Sequence, residues 1–324
     1  MKKIDTKALV EGAILVAIAA VLIIAAWYIP FLSIVGVIIW PIPITILTFK
    51  YDLKISIISL VTLFLITAMF IDPISALILI LVYGISAVVL GFCLRRKYSP
   101  FVVIMSMSLS MFVSYIIAIK LSNFIFGTDI IEEFFRLMQE STEAAKKVLK
   151  QAGYSEELIN QSSIVKSLNP DAIRMMLPGI LALASLLGSY INYYFTGIIF
   201  KKLRMKIKEI LPLERWYISS YLSYGFLFML FTSWFMVYLK VNNAETVFSS
   251  VLMIFQFVFE IDGLAVASWF FKNRGMSSKL RIFLLIIIMF SPLSRILFLL
   301  GLFDYLIDIR KINPSRRGRI PPGE

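Results

Sequence analysis

ALVEGAILVAIAAVLIIAAWYI, residues 8 to 29, holds one charged side chain, Glu11, in 22 positions. Wound as a helix at about 1.5 Å per residue it is about 33 Å long, which matches a bilayer hydrocarbon core of about 30 Å. It is too long for the apolar core of a signal peptide and lacks a small-x-small pattern before Pro30. It is therefore expected to be a retained span with no secreted mature domain behind it. Comparable runs recur near residues 31–49, 53–71, 74–94, 100–120, 175–200, 218–239 and 246–271. The expected fold class is all-α, a polytopic integral membrane helical bundle of about 9–10 membrane segments with the N-terminus cytoplasmic.

The basic residues test that layout. With Lys2, Lys3 and Lys7 inside, the segments that fall on the same side carry Lys50 and Lys54, Arg95 to Lys97, six basic residues over 201–215 and four over 272–281. Apart from one long loop, the other side carries Lys240 alone. Insertion machinery responds to Lys and Arg in short loops, so the alternation sets the orientation, and it accounts for the net charge of +12 without nucleic acid. The expected location is a cell membrane, of the bacterial cytoplasmic kind, crossed many times.

Several classes of chemistry are excluded by residue type. There is no histidine and a single cysteine, Cys93. A Ser-His-Asp triad, a histidine zinc helix, a four-cysteine cage and an internal disulfide are all ruled out, and no metal or cofactor is expected. No phosphate-binding P-loop is present, so any use of ATP would come through another chain. The chain is read as no enzyme.

Three domains are expected: a six-span membrane domain over 1–205, C-terminal membrane segments over 206–309, and a basic cytoplasmic tail over 310–324. Within the first, residues 121–174 read as an external amphipathic hairpin. Ile131, Phe135, Met138, Ala145 and Leu149 recur at helical spacing, Gly153 suits a stop, Ser155-Glu156-Glu157 a second start, and Asn169-Pro170 a restart toward the sixth span. Within the second, Ser291-Pro292 and Arg295 break the run 282–303, so residues 282–307 are expected to form a re-entrant hairpin that returns the tail, with Arg316, Arg317 and Arg319, to the inside.

The polar positions inside the spans are the candidate sites. Ser185, Ser189, Asn192 and Thr196 make a continuous polar face on the sixth span, and Ser106, Ser110 and Ser114 repeat it on the fifth. Such faces pack helices together or line a cavity, here one expected to open outward and take a small polar or amphiphilic molecule. Pro41 and Pro43 remove two backbone donors from the second span and should break or kink it. Glu260, Asp262 and Arg295 are charges at membrane depth, which is costly enough to demand pairing or function. Asp262 lies about 200° around the helix from Glu260. Glu260, on the stripe Gln256, Glu260, Gly263, Ala267, is the one expected to face the bundle and to pair with Arg295. Ala13, Ala17 and Ala20 offer a small face to a partner helix, as Gly84, Ala87 and Gly91 do on the fourth span. Lys201 to Lys208, KKLRMKIK, is basic and amphipathic and suits anionic lipid. The function expected is a transporter or substrate-binding membrane component, with a non-catalytic scaffold or sensor for partner proteins or anionic lipid as the alternative. The expected partners are membrane lipid and a membrane protein at the first helix.

Asp72-Pro73, Gly84, Gly91 and Arg95-Arg96-Lys97, followed by Gly263-Leu264-Ala265 and by Leu300-Gly301-Leu302-Phe303-Asp304 with Asp308 and Arg310, resemble the YybS-like family of predicted membrane proteins. That resemblance implies a polytopic membrane fold and no activity. The first six spans, with an alanine-rich first helix and a proline-broken second, also look like the S components of energy-coupling-factor vitamin transporters. That likeness implies that Ala13, Ala17 and Ala20 dock on a transmembrane coupling subunit. Tyr51-Asp52 stands where those proteins have Gly-Pro, and three or four further segments follow.

Overall fold

The computed structural model describes residues 6–127, 129–155, 158 and 170–312. All regular structure among them is helical. In chain order the elements are α1 (Thr6–Tyr28), α2 (Pro30–Ile39), α3 (Pro41–Lys50), α4 (Leu53–Thr67) and α5 (Pro73–Leu79). A π turn, Ile80–Gly84, carries α5 into α6 (Ile85–Arg95). Then come α7 (Pro100–Phe126), α8 (Ile130–Gln151), α9 (Pro170–Lys202), a 3-10 turn (Leu213–Arg215), α10 (Ser220–Tyr238), α11 (Ala244–Asn273), α12 (Ser278–Phe290) and α13 (Ser294–Ile307).

Seven spans among the described residues are long and apolar enough to cross a membrane: α1, α2 with α3, α5 through α6, α7, α9, α10 and α11. The chain is a multi-pass integral membrane protein. The third expected span is shorter than the sequence suggests. α4 has 15 residues, about 22 Å at 1.5 Å per residue, which falls short of the hydrocarbon core. The cause is local. Asp72 precedes Pro73 and is pushed to extended backbone, φ −51° and ψ 128°, from where its carboxylate accepts from Ser75 N and caps α5. The chain leaves α4 in a turn over 68–71 to reach that cap.

The chain divides into two compact units, residues 1–170 with 181–210 and residues 171–180 with 211–324. In the first unit α3 is the centre: Pro41 through Thr48 are all buried, as expected of a helix surrounded on every side. The break at Trp40 is a joint and not an unwound segment. Trp40 keeps helical dihedrals and its N–H still donates to Gly36 O at 2.9 Å, while Pro41 opens α3 as its first residue. The small residues of the fourth span find their partner here: a methyl on Gly91 would collide with Thr48 and with Thr45 O, and Thr45 Oγ1 donates to Ala87 O at 3.3 Å.

α8 is the first arm of the expected external hairpin. Asp129 caps it by accepting from Ile131 N at 2.9 Å. Phe135 is buried, Ile131, Met138 and Leu149 are half-buried, and Ala145 is exposed. Of the second arm, Glu156-Glu157 and Asn169 lie outside the described residues, as do Arg316, Arg317 and Arg319 of the tail.

In the second unit α12 and α13 are bent by 106° at Ser291 to Leu293. Both ends of this pair reach the same residue. Arg281 Nη1, near the start of α12, lies 4.0 Å from Glu214 Oε1, and Arg310 Nη1, just past α13, donates to Glu214 O at 3.4 Å. A straight span would hold those ends a bilayer apart, so the pair doubles back. α13 crosses α11 at two glycines. A methyl on Gly263 would collide with the Leu297 carbonyl, and one on Gly301 with the Phe259 carbonyl.

Candidate functional site

The polar face of α9 lies in the first unit. Ser185, Ser189, Asn192 and Thr196 fall within about 60° of arc on a helix of 3.6 residues per turn, and they are 0%, 0%, 2% and 0% exposed. Two of their polar groups are used within the helix: Ser185 Oγ donates to Leu181 O at 2.7 Å and Asn192 Nδ2 to Gly188 O at 3.2 Å. Three oxygens are left without a partner among the described residues: Ser189 Oγ, Asn192 Oδ1 and Thr196 Oγ1. Buried polar atoms are nearly always satisfied, because each orphan costs about 1–3 kcal/mol. Three in succession on one helix face are a marked departure.

A thioether borders this face. A methyl placed on Gly188 would stand 3.2 Å from Met111 Cε and 3.4 Å from Met111 Sδ, so the Met111 side chain of α7 lies against α9 at Gly188, about 40° around the helix from Asn192. Met111 and Met107 are both buried. Methionine is the most readily rearranged of core side chains and accepts hydrogen bonds weakly. The face is closed in this structure, where the sequence reading has a cavity open to the outside: α7 presents Met107, Met111 and Ser114 to the core and leaves Ser106 and Ser110 toward one edge. Ser114 is buried, and Ser110 and Ser106 are half-buried. The lone cysteine sits in the core among Ile42, Leu90, Met107 and Phe200.

The basic stretch leaves the helix after Lys202, through a turn at Leu203 and Arg204. Arg204, Lys206 and Lys208 are exposed while Met205 and Ile207 turn inward, an alternation of period two. Tyr193 Oη donates to Lys208 O at 2.6 Å and holds this strap to α9. The alanine face of α1 is divided: Ala20 is buried in the core, whereas Ala13 and Ala17 are exposed. Ala13 also lines a cleft of about 190 Å³ with Gly12, Val16, Ile55, Ser59 and Thr62.

The intramembrane charges, all in the second unit, are paired differently from the sequence expectation. Glu260 is half-buried, Arg295 is exposed, and among the described residues neither makes an ion pair. Asp262 is the paired acid and Arg310 its partner. Arg310 Nη2 donates to Asp262 Oδ1 at 2.6 Å and to Asp304 Oδ2 at 2.8 Å, Nε donates to Asp304 Oδ2 at 3.1 Å, and the Arg310 N–H donates to Asp304 Oδ1 at 3.2 Å. The side chains of Arg310, Asp262 and Asp304 are 0%, 3% and 4% exposed. The expectation failed because it assumed that α11 shows one face inward. From Asp262 to Ser268 every residue is buried, so at this level both sides of the helix meet protein.

Beside this cluster Glu214 receives Lys272 Nζ at 2.6 Å. Burial pushes the Glu214 carboxyl up, but the hydrogen bonds from Lys272 and the backbone, with the charges of Lys272 and Arg281, outweigh it and hold the group below the usual carboxylate range.

Comparison with known proteins places these features in a family. The family model described as "Predicted membrane protein (DUF2232)" matches residues 17–305. A curated relative, the "Uncharacterized protein YybS" of Bacillus subtilis (strain 168), is 22% identical over 212 residues. The alignment covers 64% of this chain and 66% of that protein, just under two thirds of its length. No solved structure matches the chain.

Proposed function

We propose that this chain, which belongs to the DUF2232 family of predicted membrane proteins, is a transporter or substrate-binding membrane component for a small polar or amphiphilic molecule. The observation that carries this reading is the row of oxygens unpartnered among the described residues, Ser189 Oγ, Asn192 Oδ1 and Thr196 Oγ1, bordered at Gly188 by a displaceable methionine. A face used for packing alone loses nothing by being apolar, since lipid-buried helices associate well through small residues. Oxygens kept dry at a cost to stability fit a molecule that brings its own hydroxyl, amide or ammonium donors when Met111 moves aside. The likeness of the first six spans to S components of energy-coupling-factor transporters points the same way. On this reading the protein performs no chemistry, and any ATP use comes through another chain docked on the exposed Ala13 and Ala17.

One feature favours a scaffold that holds anionic lipid: the strap of exposed Lys201, Lys202, Arg204, Lys206 and Lys208. The two readings separate on a triple variant, Ser189→Ala with Asn192→Leu and Thr196→Val. If the face is a binding site, removing its orphaned groups raises stability, by about 1 kcal/mol or more in total, and abolishes retention of any small molecule that wild-type protein releases on denaturation. If the variant is less stable than wild type, these side chains serve packing and the binding reading fails.

A further inference from the structure

The buried cluster of the second unit does not balance its charge. Two carboxylates, Asp262 and Asp304, surround one guanidinium, Arg310, and all three side chains are at most 4% exposed. An uncompensated charge in such surroundings is costly by several kcal/mol, and more so within a membrane span. The surplus belongs to one of the two acids, and the geometry says which. Asp304 takes two hydrogen bonds from the Arg310 side chain and one from its backbone N–H, and is the fixed counter-ion. Among the described residues Asp262 takes a single bond, at Oδ1, and its Oδ2 has no hydrogen-bond partner.

We propose that Asp262 is a proton-binding site, with the proton carried on Oδ2 and Oδ1 left to accept from Arg310. The proton comes from water and returns to it, so that binding takes the cluster from a net charge of minus one to zero. A metal cation would need several converging oxygens, and one orphan oxygen does not supply them. This inference rests on the second unit alone and does not depend on the binding face of α9.

Other groups around α11 do not offset the surplus. α13 contributes Asp304 and Tyr305, whose hydroxyl is engaged with Ser223 of α10 at 2.6 Å. The segment after α13 contributes Asp308, a further negative charge near Asp262, together with Arg310. α10 contains no charged residue. Glu214 of the 3-10 turn is matched by Lys272 and by Arg281 of α12. Glu260, on α11 itself, is another acid. Arg174, on the stretch of α9 that packs at Ser250, belongs to a level about 18 Å along α11 from Asp262.

The sign of the pH effect follows. A proton held in the folded protein and released on unfolding contributes stability at low pH that is lost as pH rises. Glu214, held ionised, acts oppositely and is lost toward acid, so the two are separable. The test is made on full-length purified protein, with the proton and deuteron as probes. Infrared difference spectra of wild type against Asp262→Asn, in H₂O and D₂O at neutral pH, should contain a protonated-carboxyl stretch that shifts on deuteration. Asp304→Asn should remove it too, because Asp262 is then the sole counter-ion of Arg310 and gives up its proton. In parallel, the fall in melting temperature between neutral and alkaline pH should be present in wild type and absent in Asp262→Asn, which mimics the neutral acid. Absence of the band, an unchanged alkaline fall in Asp262→Asn, or failure of Asp262→Asn to fold while Asp304→Asn folds, overturns the assignment.

Discussion

Arg310→Met is expected to destabilise the protein by about 3–5 kcal/mol, the cost of leaving a buried acid without its cation. The residue lies past α13, yet its side chain is wholly buried and ties three parts of the second unit: α11 at Asp262, α13 at Asp304, and the 3-10 turn at the Glu214 carbonyl. Second substitutions identify the stranded charge. Asp304→Asn added to Arg310→Met should recover most of the loss, because Asp304 is the fixed counter-ion. Asp262→Asn added to Arg310→Met should recover little, because that acid already carries a proton. Thermal unfolding in detergent, followed through the tryptophans, reads all three variants. Equal recovery by either asparagine would mean that the two acids share the charge.

Gly263→Ala and Gly301→Ala are each expected to cost about 3 kcal/mol or more, at or beyond the upper end for overpacked cores. The added methyl meets the carbonyl of Leu297 in one case and that of Phe259 in the other, and both are backbone atoms that cannot rotate away. Both substitutions force α11 from α13, so the double variant should lose less than the sum of the single losses. Gly225→Ala on α10 is the control. Nothing lies within 4 Å of its methyl, so it should stabilise slightly, through helix propensity of about 1 kcal/mol or less. Equal tolerance at all three glycines would contradict the close crossing of α11 and α13.

The spans were legible in the sequence because each is a local property, a run of apolar residues between basic stops. Caps were legible for the same reason, as at Asp72-Pro73. The polar face of α9 could also be read from its spacing, and the residues it names are buried together. That Met111 borders it at Gly188 could not, since nothing in the period of α9 says what the opposing helix presents. The charge pairing was harder still. Depth along the chain favoured Arg295, which sits inside an apolar run, over Arg310, which stands at the edge of a basic tail. Asp308 changes this by adopting left-handed backbone, φ 54°, so that the chain folds back and Arg310 N–H reaches Asp304. Asp304, Asp308 and Arg310 did stand out with Gly263 and Gly301 as a family-like pattern. The signal was present there as residues, without the contacts that join 262 to 310 across 48 positions.

The most direct test of a polar binding face within the first unit is its access to water. In a Cys93→Ser background, Ser110→Cys, Ser189→Cys and Asn192→Cys are treated from outside with a small water-soluble thiol reagent, with Leu63→Cys as a buried apolar control. If Met111 moves aside to admit a polar molecule, Ser189→Cys and Asn192→Cys react well above the Leu63→Cys background. Protection of both, at the level of the control, would mean that the face stays sealed and is a packing surface with no binding role.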